Sequence, residues 1–252
     1  MIIDINTRVL RPADEYELIE SPSIAARIEP GLASVPTDMR CMLTPPVYYS
    51  LENGIADNRA INDALLTSAA KRPGWRMFGL AEPKYGDAAT AEIERLGSLG
   101  AAGVVWSPRA QGIFGNDHSL AQLCIHADKC GLVSMIRSAP YSVNEGLWRL
   151  WALAKQCPGV PLVLIGAFES WENIQFVREH QGGGENLFYD LSLLSESWDL
   201  DALVGSLGSD RLLFGSGGLD LVERTLAIVE RSDLAAPARD AILSGNAAGL
   251  LA

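Results

Sequence analysis

The first residues that could do chemistry lie in Met1–Val9, which reads as a short strand with alternating side chains. Asp4, Asn6 and Arg8 fall on one face of that strand. The opposite face carries Ile3, Ile5, Thr7 and Val9. A strand with one polar face needs a polar environment, and the mouth of a parallel barrel, where the active sites of such barrels lie, provides one. We therefore predict that Asp4, Asn6 and Arg8 bind a ligand.

Further ionisable side chains follow later predicted strands. Glu82 and Glu169 are carboxyl groups that could do acid–base chemistry if the site removes water from one of them. Arg137 could stabilise an oxyanion or an enolate. These three residues are the predicted catalytic residues. The remaining predicted ligand-binding residues at strand ends are Lys84, Tyr85, Arg109, Arg137, Ser216 and Asp220.

Arg8 and Arg137 would bring two fixed positive charges to the barrel mouth. A buried guanidinium without a counterion is costly, so an anion is expected nearby. The anion could be an internal carboxylate, for which the candidates are Asp4, Glu82, Glu169 and Asp220. It could also be the carboxylate or phosphate of a ligand, which arginine binds through two parallel hydrogen bonds. Both interpretations stay open, and they are compatible with each other.

The composition narrows the class of protein. With 252 residues and 48% hydrophobic content, the chain is long enough for one sizeable core, and we expect one domain over residues 1–252. The formal net charge of −11 argues against nucleic acid or an anionic membrane as a partner. We find no apolar run of membrane-spanning length, no secretory signal and no C-x-x-C pair, so we expect a cytoplasmic protein with reduced cysteines.

Eight predicted strands alternate with helices along the chain. The strands are expected at 1–9, 39–43, 77–81, 103–106, 132–136, 161–165, 187–191 and 211–214, and the last helix at 237–251. This alternation predicts an α/β protein with a single (β/α)8 TIM barrel. A doubly wound open sheet is the alternative, but no G-x-G-x-x-G follows the first strand. Residues 10–37 are irregular and rich in proline, and they could form a lid, a substrate-contacting segment, a cover for the barrel or an oligomer contact.

Several stretches resemble the amidohydrolase superfamily, in the branch that holds the aminocarboxymuconate-semialdehyde decarboxylase. The stretches are the Ile-Asp-x opening of strand one, RLGSLGAAGVVWSP at 95–108, FYDLSL at 188–193, LGSDRLLFGS at 207–216 and ILSGNAAGL at 242–250. The resemblance covers nearly the whole chain. It implies a TIM barrel of the metal-dependent hydrolase type and an activity of hydrolase or decarboxylase type.

The same resemblance implies five positions for metal ligands, and none of them holds a ligand residue here. The residues at those positions are Asn6, Arg8, Arg137, Gly166 and Gly217. Arginine has no lone pair to donate and repels a cation. The three histidines of the chain fall in or beside predicted helices, away from the strand ends, and are His118, His126 and His180. We therefore predict no catalytic metal and no other cofactor.

Two hypotheses follow for the function. The first is a metal-independent hydrolase or decarboxylase-type enzyme acting on a small carboxylated metabolite. The second is a non-catalytic pseudoenzyme that binds an anionic small molecule through Arg8 and Arg137. Either hypothesis makes a small anionic ligand the expected partner, and the resemblance leaves a homo-oligomer open.

Overall fold

Eight parallel strands form the centre of the computed structural model, which describes residues 1–8, 39–46, 49 and 51–252. They follow one another in the sheet in chain order, each paired in parallel with the next. Their bounds are Ile2–Arg8 (β1), Met39–Thr44 (β2), Arg76–Leu80 (β3), Gly103–Trp106 (β4), Val133–Arg137 (β5), Leu162–Ile165 (β6), Leu187–Asp190 (β7) and Leu212–Leu213 (β8). The backbone of Ile5 donates to Phe214 at 3.0 Å, which joins β1 to the chain beyond β8. The predicted (β/α)8 barrel is confirmed.

Helices connect the strands on the outside of the barrel. Their bounds are Ile55–Ala69 (α1), Asp87–Ser98 (α2), His118–Lys129 (α3), Leu147–Gln156 (α4), Trp171–Glu179 (α5), Ser197–Leu207 (α6), Val222–Arg231 (α7), Ala236–Asp240 (α8) and Asn246–Leu250 (α9). A short 3₁₀ turn at Pro83–Tyr85 follows β3, and a π-helical stretch at Ala241–Gly245 separates α8 from α9. The described part of the chain contains no helix with both the length and the apolar character needed to cross a membrane.

Two apolar clusters hold this architecture together. One fills the barrel interior and includes Ile3, Ile5, Met42, Phe78, Val105, Val133, Met135, Val163, Ile165 and Leu213. The larger one lies between strands and helices and includes Leu43, Leu65, Leu96, Trp106, Leu164 and Tyr189. Because side chains alternate along a strand, the two faces of each β-strand feed the two clusters. Burial of both faces explains why the strands read as nearly continuous apolar runs.

The strands end where the barrel mouth opens, and polar residues replace apolar ones there. Val133 and Met135 of β5 both belong to the interior cluster, so Arg137 continues the interior face by two more residues. At the other end of the barrel, Arg76 at the start of β3 donates to the carbonyl of Leu251 at 3.0 Å. The C-terminal helices therefore close the bottom of the barrel, and the candidate site lies at the top.

The predicted element bounds agree with the structure except at a few ends. Most differ by one to three residues, as expected for ends that carry no sharp stop signal. The last predicted helix, at 237–251, is helical from Ala236 to Leu250, and a π-helical stretch lies within it at Ala241–Gly245. The predicted loop at 10–37 lies outside the described residues.

Candidate ligand site at the barrel mouth

Asn6 lies at the centre of the polar residues in the mouth. Its Nδ2 donates to Asp190 Oδ2 at 2.7 Å, and its Oδ1 accepts from the hydroxyl of Thr44 at 3.1 Å. The pairing of β1 with β2 shifts register between Asp4 and Thr7, and such irregularities redirect side chains. This shift explains how β1 sends Ile5 into the interior cluster and still directs Asn6 to Thr44 and Asp190, which lie on two other strands.

Asp190 ends β7 and is completely buried. Its Oδ1 accepts from the backbone of Gly166 at 3.0 Å and from the hydroxyl of Ser192 at 2.9 Å, while Oδ2 accepts from Asn6. Burial raises the pKa of Asp190 from 3.8 to about 6, although these hydrogen bonds act in the opposite direction. Both oxygens are thus engaged, and the carboxyl group is close to its titration range at neutral pH.

Arg8 is the second polar residue that β1 contributes. Only 9% of it is exposed, and its Nε donates to the backbone oxygen of Gly217. Burial, together with repulsion from Arg137, lowers the pKa of Arg8 to about 10, while Asp190 and Asp220 act in the opposite direction. The guanidinium therefore stays charged at neutral pH, and it lies within electrostatic range of a second guanidinium.

Arg137 at the end of β5 is half-buried. Its side chain makes no hydrogen bond and no ion pair with any residue in the described part of the chain. The Glu145 carboxylate lies within electrostatic range of Arg137. Burial raises the pKa of Glu145, and the positive charges of Arg137 and Arg109 oppose that rise. The Glu145 carboxylate itself accepts from the backbone of Arg109 at 3.0 Å. Arg137 thus has hydrogen-bond donors available at the mouth.

Asp4 ties the first strand to the loop that follows β8. Its Oδ2 accepts from the hydroxyl of Ser216 at 2.6 Å, and its Oδ1 accepts from the backbone of Ser216 at 2.9 Å and of Asn6 at 3.1 Å. Burial raises the pKa of Asp4 in spite of these bonds. Asp4 is fully buried, and in this structure its carboxylate holds β1 to the loop after β8.

Glu82 is a buried carboxylate beyond the end of β3, with only 2% of the residue exposed. The phenol of Tyr49 donates to its Oε1, and Gln111 Nε2 approaches the same oxygen at 3.5 Å. Burial and the neighbouring carboxylate raise the pKa of Tyr49 well above its ordinary value. A carboxylate that is held in this way and shielded from water is suited to accept or deliver a proton.

The remaining predicted site residues lie further out. Glu169 is exposed, so the structure does not bring it into a buried pair with Glu82. Lys84 is exposed and its Nζ lies 5.3 Å from the centre of the Tyr85 ring. Arg109 and Asp220 are also exposed, and Asp220 acts on Arg8 through its charge. The histidines lie as expected: His118 and His126 in α3, and His180 directly after α5.

Two functional candidates were missed by the sequence analysis, and they are Asp190 and Glu145. Asp190 is the polar residue at the end of an apolar strand in FYDLSL, which is the same signal that pointed to Arg137. Glu145 lies in an irregular loop before α4, where no periodic pattern indicates burial.

Comparison with known proteins identifies the fold. No protein-family model and no curated protein matches the sequence. Among solved structures, a putative amidohydrolase from Staphylococcus aureus is 14% identical with a TM-score of 0.75, covering 99% of each chain. A 2,6-dihydroxybenzoate decarboxylase in complex with 2,6-dihydroxybenzoate is 15% identical with a TM-score of 0.76, covering 99% of this chain and 98% of that one. A dihydroxybenzoic acid decarboxylase from Polaromonas sp. JS666, with bound manganese and the inhibitor 2-nitroresorcinol, is 15% identical with a TM-score of 0.70, covering 99% and 96%.

The chain has the barrel fold of these proteins. The fold that the sequence resemblance implied is therefore confirmed over almost the full length.

The described residues of this mouth do not fit a divalent metal ion of the kind that the Polaromonas structure contains. The described residues include no group of three His, Cys, Asp or Glu side chains able to hold a metal. At Gly217, where the resemblance implies an aspartate, a Cβ atom would lie 2.8 Å from Ser192 Cβ and 3.6 Å from Arg8 Nη2. The backbone of Gly217 has a φ of 80°, which side-chain-bearing residues rarely adopt. The Arg8 guanidinium and the Ser192 side chain thus border the space in which an aspartate side chain at position 217 would have to stand.

Proposed function

We propose that the barrel mouth binds a small carboxylated molecule through Arg8 and Arg137, and that the protein acts on it as a metal-independent enzyme of the decarboxylase type. The observation that carries the proposal is the half-buried Arg137, whose guanidinium has no hydrogen-bond partner in the described part of the chain. It lies within electrostatic range of the charged, nearly buried Arg8. An anion between two such groups would relieve their repulsion and accept from the donors of Arg137.

The size and type of the ligand follow from the same residues. Arginine binds a carboxylate through two parallel N–H groups, which fixes the plane of the carboxylate as well as its position. Decarboxylases of carboxylated aromatics share this fold, and 2,6-dihydroxybenzoate is bound by one of them. An aromatic or small aliphatic carboxylate is therefore the substrate class to test first.

A decarboxylation at this site needs one proton transfer. The C–C bond to the carboxylate breaks, carbon dioxide leaves, and the carbon that keeps the electron pair takes up a proton. Glu82 is our candidate for the group that delivers that proton, which it would then take up again from water. The arginines serve chiefly to bind, because a guanidinium that stabilises a carboxylate in the ground state does not itself favour loss of that group.

One observation favours a second function, binding without turnover. Both Arg8 and Arg137 stabilise bound carboxylate, and the mouth lacks the donors of a metal site in the described residues. The protein would then be a pseudoenzyme that holds an anionic metabolite. This alternative shares the binding step with the first function and differs only in the chemistry that follows.

One experiment separates the two functions and tests the shared step. Protein stripped of metal by a chelating resin is titrated calorimetrically with 2,6-dihydroxybenzoate and then incubated with it while carbon dioxide release is followed. We expect binding that Arg137→Met weakens by about tenfold or more and that the matched control Arg231→Met, at an exposed arginine that ends α7, leaves nearly unchanged. Carbon dioxide release that Glu82→Gln abolishes supports the enzyme, whereas binding without release supports the alternative. If 2,6-dihydroxybenzoate and a panel of other carboxylates fail to bind, the proposal is wrong.

A further inference from the structure

The carboxylate of Asp190 joins three strand ends beneath the proposed anion site. It accepts hydrogen bonds from Asn6 on β1, from the backbone of Gly166 after β6 and from Ser192 after β7. It is fully buried, so it cannot touch a ligand. We infer that Asp190 is the positioning residue of the mouth, which sets the orientation of Asn6 and, through it, the place of Arg8. This inference rests on the proposed function, because it concerns the same anion site.

The first step runs from Asp190 to the side chain of Asn6. An ionised carboxylate only accepts hydrogen bonds, so it takes the Nδ2 end of the Asn6 amide. The hydroxyl of Thr44 donates to the Oδ1 end at 3.1 Å. A flipped amide would place Oδ1 against the Asp190 carboxylate at about the present 2.7 Å separation, which is repulsive. Asp190 and Thr44 together therefore allow one orientation of Asn6.

The second step runs from Asn6 to Arg8 through the backbone of Gly217. The N–H of Gly217 donates to the backbone oxygen of Asn6 at 2.8 Å. The carbonyl of the same glycine accepts from Arg8 Nε. The two backbone groups of Gly217 thus connect Asn6, whose side chain is bonded to Asp190, to the guanidinium of Arg8. The negative charge of Asp190 also attracts Arg8. The connection is a continuous series of hydrogen bonds.

The close packing around Asp190 indicates that the neighbouring backbone is shaped to accommodate this carboxylate. A Cβ atom on Gly215 would lie 2.7 Å from Asp190 Oδ2, so only glycine at that position leaves room for the carboxylate. The loop after β8 therefore accommodates both the carboxylate, at Gly215, and the Arg8 guanidinium, at Gly217.

The test exchanges the two partners of the central hydrogen bond. Asp190→Asn leaves the Asn6 amide facing a second amide, and we expect it to weaken binding of 2,6-dihydroxybenzoate at pH 7.5 by about tenfold. The double variant Asn6→Asp with Asp190→Asn restores one carboxylate and one amide at the same two positions. We expect its dissociation constant to return to within about threefold of the unmodified protein. A residue needed merely for folding would not be rescued by this exchange, because the buried carboxylate has moved to a different strand.

The outcomes separate this inference from the proposed function. Failure of the unmodified protein to bind overturns the proposed function. Binding by the unmodified protein that Asp190→Asn leaves unchanged overturns the inference alone. A folded exchange variant that binds no better than Asp190→Asn also overturns it. Should Asp190→Asn and the exchange variant not fold, Thr44→Val removes the other partner of Asn6. It must then weaken binding by about threefold, and an unchanged dissociation constant contradicts the inference.

Discussion

Replacing Asp190 by asparagine should change how the free energy of unfolding depends on pH. In the folded protein the pKa of Asp190 is raised by burial from 3.8 to about 6. A carboxyl group with a raised folded-state pKa contributes stability that is fully present below pH 3.8 and is lost as the pH rises through 6. The difference between the two values corresponds to about 3 kcal/mol. Asparagine does not titrate, so Asp190→Asn should gain about 2 kcal/mol relative to the unmodified protein between pH 4 and pH 7, because part of the full change lies below pH 4.

Urea unfolding at a series of pH values measures this difference directly. All other titrating groups are common to both proteins and largely cancel when the two free energies are subtracted at each pH. Asp128→Asn, at an exposed position near the end of α3, is the matched control for loss of an aspartate. A difference between Asp190→Asn and the unmodified protein that stays constant over this pH range would refute the assignment of Asp190 as a buried, high-pKa carboxyl group.

Three further substitutions test contacts around the barrel by urea unfolding at neutral pH. Ser216→Ala removes the 2.6 Å hydrogen bond to the buried Asp4 and should cost about 1.5–3 kcal/mol; no loss would mean that the bond is not made. Glu92→Gln removes a buried carboxylate that accepts from Arg95 at 2.7 Å, and it should lower the free energy of unfolding by about 1.5–3 kcal/mol. An unchanged urea midpoint would show that this ion pair does not stabilise the protein. Gly217→Ala should lower the free energy of unfolding by at least about 1–2 kcal/mol because the backbone there has a positive φ. Gly205→Ala lies in α6 with open space around its Cβ and should raise the free energy of unfolding by about 0.5–1 kcal/mol. Equal effects of the two substitutions would contradict the role of the positive φ at Gly217.

The barrel could be predicted from the sequence because turn-forming residues mark the ends of the strands. Apolar runs end in Thr44-Pro45, Ser107-Pro108 or Gly166, and amphipathic helices lie between them. Those signals are local, so one sequence suffices to read them. The π-helical stretch within the last helix packs against β1 and β8, and no local sequence pattern indicates this packing.

The candidate site could be predicted only in part. Asp4, Asn6, Arg8 and Ser216 were expected together and lie together, because the first strand and the loop after the last strand are neighbours in any closed barrel. The exposure of Glu169 depends on how the loop after β6 turns, and the capture of Asn6 by Asp190 depends on the register shift in β1. Both are three-dimensional details that alternation along a strand does not determine.

A crystal structure of the metal-stripped protein soaked with 2,6-dihydroxybenzoate tests the central claim most directly. We expect the carboxylate of the ligand within hydrogen-bonding distance of both Arg8 and Arg137, with no metal ion between them. A carboxylate coordinated to a metal ion at the mouth, or a ligand bound away from both arginines, would contradict the proposed anion site.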